Sequence, residues 1–561
     1  MRAPLRRITV VADGLVRDAA GQHEAVLLGG PLTVDSLAAV ARRGVPVGIS
    51  AEAEARISAS AALLDRLVDR GSRIYGVTTG YGPLACQQIT PAQSARLQRN
   101  LLNHLATGVG APYDPETTRA IMLARLSALA QGYSAARPET LALLAECLNR
   151  GVTPIVPSKG TVGASGDLTP LAHLALALTG RGEALFEGLR LPAAAALARA
   201  GLAPLVLGRK EGLALVNGTS AMTGIAALSA VDIARLLDLS LFVGLLYAEV
   251  SGAHRDAWHP RFGRARPHPG QCAVHAALHA MSADAPRLVE EGALPPVIEA
   301  DALDADGVAH RRAMPQDPYT LRCLPQLIGA AVDVAQFHRD VVERELRSAT
   351  DNPLIFIAGP DGDPDGEAIG HGGNFYGQHI AFASDALAPV IVKLAVLLER
   401  IIARVTDPLL NGGLPPFLQE RATGLNSGFM GAQVTASALV AEMRAAAHPA
   451  SMQSIPTNAN NQDVVTMGTI AARKVAALIE DAFGVMAIAA LVLAQAHDLR
   501  STSGPPFSAA SRWFVGCIRR VSPFLEEDRP LSDEIAAVAE LLRRDPLAGA
   551  PVVPNLVAHI S

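Results

Sequence analysis

Four long apolar stretches limit what this chain can fold into. They are "VDIARLLDLSLFVGLLYAEV" (231–250), "AFASDALAPVIVKLAVLLERIIARV" (381–405), "GFMGAQVTASALVAEMRAAAH" (428–448) and "MGTIAARKVAALIEDAFGVMAIAALVLAQAHDLR" (467–500). Each keeps a helical period with an apolar face too wide for one stripe of contact, so each helix should be buried on most sides. A single chain of 561 residues has little left over to cover all four, which points to an oligomer. Aromatic residues make up only 4%, so aliphatic side chains must fill the core. The longest uninterrupted apolar run, "AFGVMAIAALVLA" (482–494), is shorter than the ~18 residues a membrane span needs and reads as a buried core helix. No membrane partner is expected.

Forty-eight basic residues against 53 acidic ones give a formal net charge of −5, which argues against a nucleic-acid partner. The five cysteines, Cys86, Cys147, Cys272, Cys323 and Cys517, form no CxxC pair, so neither a disulfide framework nor a zinc site is expected and a reducing cytoplasm fits. His254 and His259, in "HRDAWHPRFGRARPHPGQ", are five apart rather than four and have no evident third ligand, so no metal is expected.

Residues 1–28 read as an N-terminal extension, 29–210 as a first domain and 211–561 as a helical bundle with C-terminal helices. "PLTVDSLAAVARRG" (31–44) reads as a helix started by Thr33 or Asp35 and stopped by glycine, "VPVGIS" (45–50) as a strand, and 51–71 as a second helix. After the Gly- and Thr-rich loop "YGVTTGYGPL" (75–84), helical pattern resumes and continues to Arg150. "AGPDGDPDGEAIGHGG" (358–373) reads as a surface loop.

"SKGTVGASGDLTPLAH" (158–173) gathers three glycines around Ser165. It is not a nucleophile elbow, because Asp167 stands where G-x-S-x-G needs its second glycine. Nor is it a P-loop, because Ser165 stands where the second glycine would fall and no lysine follows. Two readings remain open. One is a Gly-rich turn before a helix. The other is chemical: Gly166, lacking a Cβ, brings its nitrogen to the Ala164 carbonyl, and the tripeptide loses two waters to become a methylidene-imidazolone (MIO) electrophile.

The chain also carries, in order, "YGVTTGYG", "GTVGASGDLTPLAH", "GLALVNGTSAM", "RPHPGQ", "QDPYTLRCLPQ", "SATDNPLI", "HGGNFYGQ", "NGGLPPFL" and "HPASMQSIPTNANNQDVVTMG". Together these resemble the aromatic amino acid ammonia-lyase and aminomutase family over roughly residues 30–505. The resemblance implies a mostly α fold, with an N-terminal MIO-bearing domain before a long helical bundle. It implies a homotetramer whose active sites draw on three subunits, and no cofactor beyond the MIO formed from Ala164, Ser165 and Gly166. It implies a small aromatic amino acid as substrate.

The chemistry needs an electrophile for the amine and a base for the weakly acidic Cβ proton. By resemblance, Tyr75 is the base, and the glycines through Gly82 allow its loop to close over substrate. Arg322 grips the carboxylate, Tyr319 stands near the MIO, and Asn217 donates to the MIO carbonyl as an oxyanion-hole residue. Asn352 and Gln462 line the carboxylate and amine region, and Phe375 lies beside the MIO. Seen alone, Tyr75 could be a surface loop residue, Arg322 a surface ion pair, Phe375 core packing and His104 a core histidine.

By the same resemblance, the pair facing the substrate ring is His104–Leu105, which resembles tyrosine ammonia-lyases, where imidazole meets the phenol hydroxyl. Gln462 stands where histidine lyases tend to carry Glu. Asn458 is a residue that bacterial tyrosine lyases and aminomutases share, so it does not separate the two. Arg347 and Tyr376 depart from the family pattern near the pocket. The expected activity is conversion of L-tyrosine to p-coumarate and ammonia. The alternatives are a tyrosine 2,3-aminomutase, a phenylalanine or histidine lyase, and an inactive helical scaffold.

Overall fold

The computed structural model describes residues 9–10, 15–17, 24–289, 305–306, 308, 316–358, 365–544, 547 and 549–557. Most of the 1–28 extension and part of the 358–373 loop lie outside the described residues. The fold is mostly α, as expected, with four small sheets of two to four strands among the described residues.

Local signals account for the first elements. Helix Val34–Arg43 starts where the Thr33 hydroxyl accepts from Ser36 N–H and stops at Gly44, whose φ is +70°. Helix Ala51–Asp69 is capped by Ser50, which accepts from Ala53 N–H. Strand Val47–Ile49 pairs in parallel with Glu24–Leu28, Val26 opposite Val47. The stretch from 94 to 150 is not one continuous helical run. Helices Ser94–Leu105, Pro115–Ala130 and Pro138–Arg150 are separated by turns and by strand Val109–Pro112, which pairs antiparallel with Pro157–Lys159. Gly108, Gly110 and Pro112 end the helical pattern, and Asp114 restarts it by accepting from Thr117 N–H ahead of Pro115.

Contacts divide the chain into two compact units that interleave along the sequence: residues 1–231, 338–386 and 449–476, and residues 232–337, 387–448 and 477–561. In the first unit, helices Ser94–Leu105, Leu168–Leu178 and Glu211–Val216 pack against one another around an aliphatic core. In the second, Phe242 packs on Trp513 and Phe514. Glu249 there accepts from both the backbone N–H and the hydroxyl of Ser508 at 2.7 Å, fixing the start of helix Ala509–Arg519.

Helix Gly468–Ser501 is buried all round through its middle, with residues 485–496 at 1% exposure or less. Helix Met430–Ala446 differs: only Ala432, Ala436, Val440 and Met443 are buried, while Val434 is 60% exposed. Its period gives one buried stripe and leaves the other apolar face uncovered by the described residues of this chain. Helices Gln378–Thr406 and Gly468–Ser501 are long and apolar enough to cross a membrane by length and composition. The uninterrupted run counted from sequence understates them, because isolated polar residues break it. Of their most apolar windows, 56% and 72% lie buried inside the protein, as core helices require.

Candidate active site

Backbone contacts and the Thr161 hydroxyl grip the Ala164–Gly166 turn. Ser165 and Gly166 take left-handed φ values of +56° and +73°. Gly218 N–H donates to the Ser165 carbonyl at 3.2 Å, and Asp167 N–H donates to the Gly218 carbonyl at 2.7 Å. A Cβ at Gly166 would fall 2.1 Å from that carbonyl oxygen, so only glycine fits. The Thr161 hydroxyl donates to the Gly166 carbonyl at 3.2 Å and accepts from Gly163 N–H at 3.1 Å. Neither Gly166 N–H nor the Ala164 carbonyl has a hydrogen-bond partner among the described residues. These are the two groups that ring closure would join, so the loop fits the MIO chemistry.

Beneath the turn, the Asp167 carboxylate accepts from Met222 N–H at 2.8 Å and from the Thr469 hydroxyl. Burial pushes its pKa up to about 6, against these hydrogen bonds.

A cavity of about 570 Å³ opens above the turn. Tyr75, Gly82, His104, Leu105, Ala164, Ser165, Asn217, Asn352, Phe375, Asn458 and Gln462 all line it. Gly166 lies just behind Ser165. Tyr319 and Arg322 do not line it; they belong to the second unit. There the Arg322 guanidinium lies over the Tyr319 ring at 4.5 Å, and Tyr319 is 71% exposed. Arg322 borders a separate cavity of about 320 Å³ with Asp317 and His254, and His254 is bonded to Asp317.

In the Tyr75–Gly82 loop, Gly82 N–H donates to the Tyr75 phenol oxygen at 2.8 Å, placing a fixed dipole at the atom a base would use. The Tyr75 backbone N–H donates to His371 Nε2 at 3.2 Å. Gly82 has a φ of +53°, and a Cβ there would meet the Asn458 amide at 2.5 Å. Asn458, Ala459 and Asn460 are three successive left-handed residues, strain of a kind that tends to cluster at functional loops. In the same loop Thr457 donates to Gln462 Oε1 at 2.8 Å, and Gln462 Nε2 donates to Ser165 Oγ at 3.4 Å.

His104 Nδ1 lies 3.1 Å from the Asn100 carbonyl. A carbonyl only accepts, so Nδ1 is the donor here, and the tautomer with its proton on Nδ1 presents Nε2 as an acceptor.

Behind Asn217 is a buried ionic network. Lys210 Nζ donates to Asp351 Oδ2 at 2.6 Å, and both side chains are 0% exposed. Burial lowers the Lys210 pKa, and the Asp351 carboxylate opposes the shift. Asn217 Nδ2 donates to Asp351 Oδ1 at 3.0 Å and to the Asn352 carbonyl at 3.1 Å. Both amide hydrogens are thereby spent, so in this arrangement Asn217 has none left for the expected oxyanion role. Arg125, fully buried, donates to the Asn217 carbonyl at 2.9 Å.

Sequence reasoning missed Lys210, Asp351, Arg125 and Asp167, because their role lies in contacts far apart in the chain. It also passed over Tyr81, which lines the cavity and meets Tyr75 edge to face at 6.2 Å; burial raises its pKa. The motif "TTGYGPL" already contained it. Of the two departures from pattern, Tyr376 lines the cavity, whereas Arg347 does not and instead bonds Glu343 at 3.1 Å.

Residues 32–520 match the aromatic amino acid lyase family. The chain is 47% identical to a tyrosine ammonia-lyase of Cereibacter sphaeroides, covering 93% of this chain and 98% of the relative. It is 44% identical to a histidine ammonia-lyase of Gloeobacter violaceus, covering 92% and 95%. The solved tyrosine aminomutase of Streptomyces globisporus superposes with a TM-score of 0.86 at 38% identity, covering 92% of this chain and 96% of that one. The turn, the cavity and these likenesses agree: the chain belongs to the aromatic amino acid lyase family.

Proposed function

We propose that the protein eliminates ammonia from L-tyrosine to give p-coumarate. The observation that carries the choice of substrate is His104: its Nε2 is an acceptor on the cavity wall, suited to a phenol hydroxyl that donates. Leu105, beside it, offers the apolar surface a ring needs. The 47% identity to a tyrosine ammonia-lyase supports the same reading.

Ala164, Ser165 and Gly166 condense in this reading. A bond forms between Gly166 nitrogen and the Ala164 carbonyl carbon, and two waters leave with the Ala164 oxygen and the Ser165 hydroxyl. The MIO so formed supplies a carbon electrophile that makes the amine a better leaving group. Tyr75 Oη takes the Cβ proton, with the Gly82 N–H behind it. Asn352, Asn458, Gln462 and Phe375 hold the amino acid in the cavity. Arg322 and Tyr319 reach a cavity of another copy in a homotetramer, Arg322 binding the carboxylate. The exposed Tyr319 ring and the uncovered face of helix Met430–Ala446 support that assembly. The free thiols support a cytoplasmic location.

A second reading is a tyrosine 2,3-aminomutase, favoured by the likeness to the Streptomyces globisporus enzyme. One product analysis on tyrosine, phenylalanine and histidine tests both. Coumarate from tyrosine supports elimination and β-tyrosine supports the shift; cinnamate from phenylalanine alone, or urocanate from histidine, sinks the substrate assignment.

A further inference from the structure

Two asparagines on the cavity wall face it with opposite polarity. Asn217 has its Nδ2 turned inward, onto Asp351 Oδ1 at 3.0 Å and the Asn352 carbonyl at 3.1 Å. Exchanging its nitrogen and oxygen would set three acceptors against one another, so the orientation is locked. Its Oδ1 has no partner among the described residues and is not among the buried unsatisfied atoms. It is therefore an acceptor open to the cavity. Asn352 is turned the other way: its Oδ1 accepts from Gly372 N–H at 2.8 Å, leaving Nδ2 as a donor. Asp351 holds the arrangement with both oxygens, Oδ2 on Lys210 and Oδ1 on Asn217 and on the Asn352 backbone N–H at 2.7 Å.

We propose that Asn217 Oδ1 binds the ammonium of a zwitterionic α-amino acid, and that the buried Lys210–Asp351 pair is the positioning element that sets this polarity. The Asn352 amide then faces the carboxylate end of the same molecule. Asp351 Oδ1 accepts from Asn217 Nδ2 while Oδ2 accepts from Lys210 Nζ, so the fully buried carboxylate demands an N–H from Asn217. Asn217 thus contributes an acceptor where the sequence suggested a donor. The inference rests on the reading of the cavity as an amino-acid site.

The test uses 3-(4-hydroxyphenyl)propanoates that differ only at C2: hydroxyl, which donates, methoxy, which only accepts, and hydrogen, which does neither. Dissociation constants are measured by calorimetry on the unsubstituted protein, so no turnover is needed. The 2-hydroxy acid should bind at least about tenfold tighter than the other two, a hydrogen bond's worth. Equal binding of the hydroxy and methoxy acids overturns the polarity. Asn217→Leu should bring the ratio to near one; a preserved ratio overturns the role of Asn217. Lys210→Met with Asp351→Asn frees the amide to turn, so the preference should narrow. An unchanged ratio in that pair removes Lys210 and Asp351 from the proposal. The inhibitor series decides the polarity even where a variant does not fold. Absence of coumarate from L-tyrosine reads on the proposed function alone.

Discussion

The two sides of the cavity are built by different physics. The wall that carries Ala164–Gly166 and Asn217 is held by buried charge and by backbone touching backbone: Asp167, Lys210, Asp351 and Arg125 are all 1% exposed or less. The opposite side, Tyr75–Gly82 with the 457–464 loop, is held by glycines, left-handed turns and single hydrogen bonds, and Val464 there is 60% exposed. A buried ion pair is a poor source of stability but a strict director of geometry. A glycine-rich loop is the reverse, cheap to reposition and weak at orienting. The wall therefore aims charge and amide groups, and the opposite side is the one that can be repositioned.

Substitutions on the two sides should differ in kind. The largest effect belongs to the wall: Ser165→Ala should keep the fold and abolish turnover, and its intact mass should lack the loss of two waters. Wild-type rate in that variant would remove the electrophile from the account. On the opposite side, Tyr75→Phe should lower kcat by about 10²–10⁴-fold with little change in melting temperature. A large drop in stability instead would mean that the loop is structural after all. Lys210→Met should act in the opposite sense, destabilising by about 3–5 kcal/mol because Asp351 is left buried and unpaired; chemical denaturation reads this directly. His104→Phe should move the tyrosine-to-phenylalanine ratio of kcat/KM by on the order of 10²-fold, leaving stability alone.

The smallest effect is a slope. The folded Asp167 carboxyl is raised to about 6 from an ordinary 3.8, with burial the main cause. Its stability contribution is therefore full below pH 3.8 and is lost as pH rises through 6. Melting temperature against pH should flatten across that window in Asp167→Asn. An identical slope in both proteins would place the titration elsewhere.

What sequence made visible, and what it did not, follows the same divide. The Thr33 cap and the glycine stop at Gly44 are local signals and could be read directly, whereas Ser50, read as the end of a strand, caps the second helix. The cavity's lining was legible because its residues sit in distinctive motifs. The supporting wall was not, since Lys210 and Asp351 are 141 positions apart and no local pattern encodes their contact. Amide direction at Asn217 and Asn352 depends on neighbours that only folding assembles. The helix break between Leu105 and Pro115 was hidden by helix-friendly residues on both flanks, although its glycines and Pro112 were in plain view.

The contact between residues 166 and 218 also has a practical side for anyone altering this protein. A methyl group at Gly166 would land on the Gly218 carbonyl, and one at Gly218 would land 2.1 Å from the Thr350 carbonyl. Diversity introduced at either site samples broken loops. Ala164 borders the open cavity and is only half-buried, so it is the member of the tripeptide where new side chains can be tried.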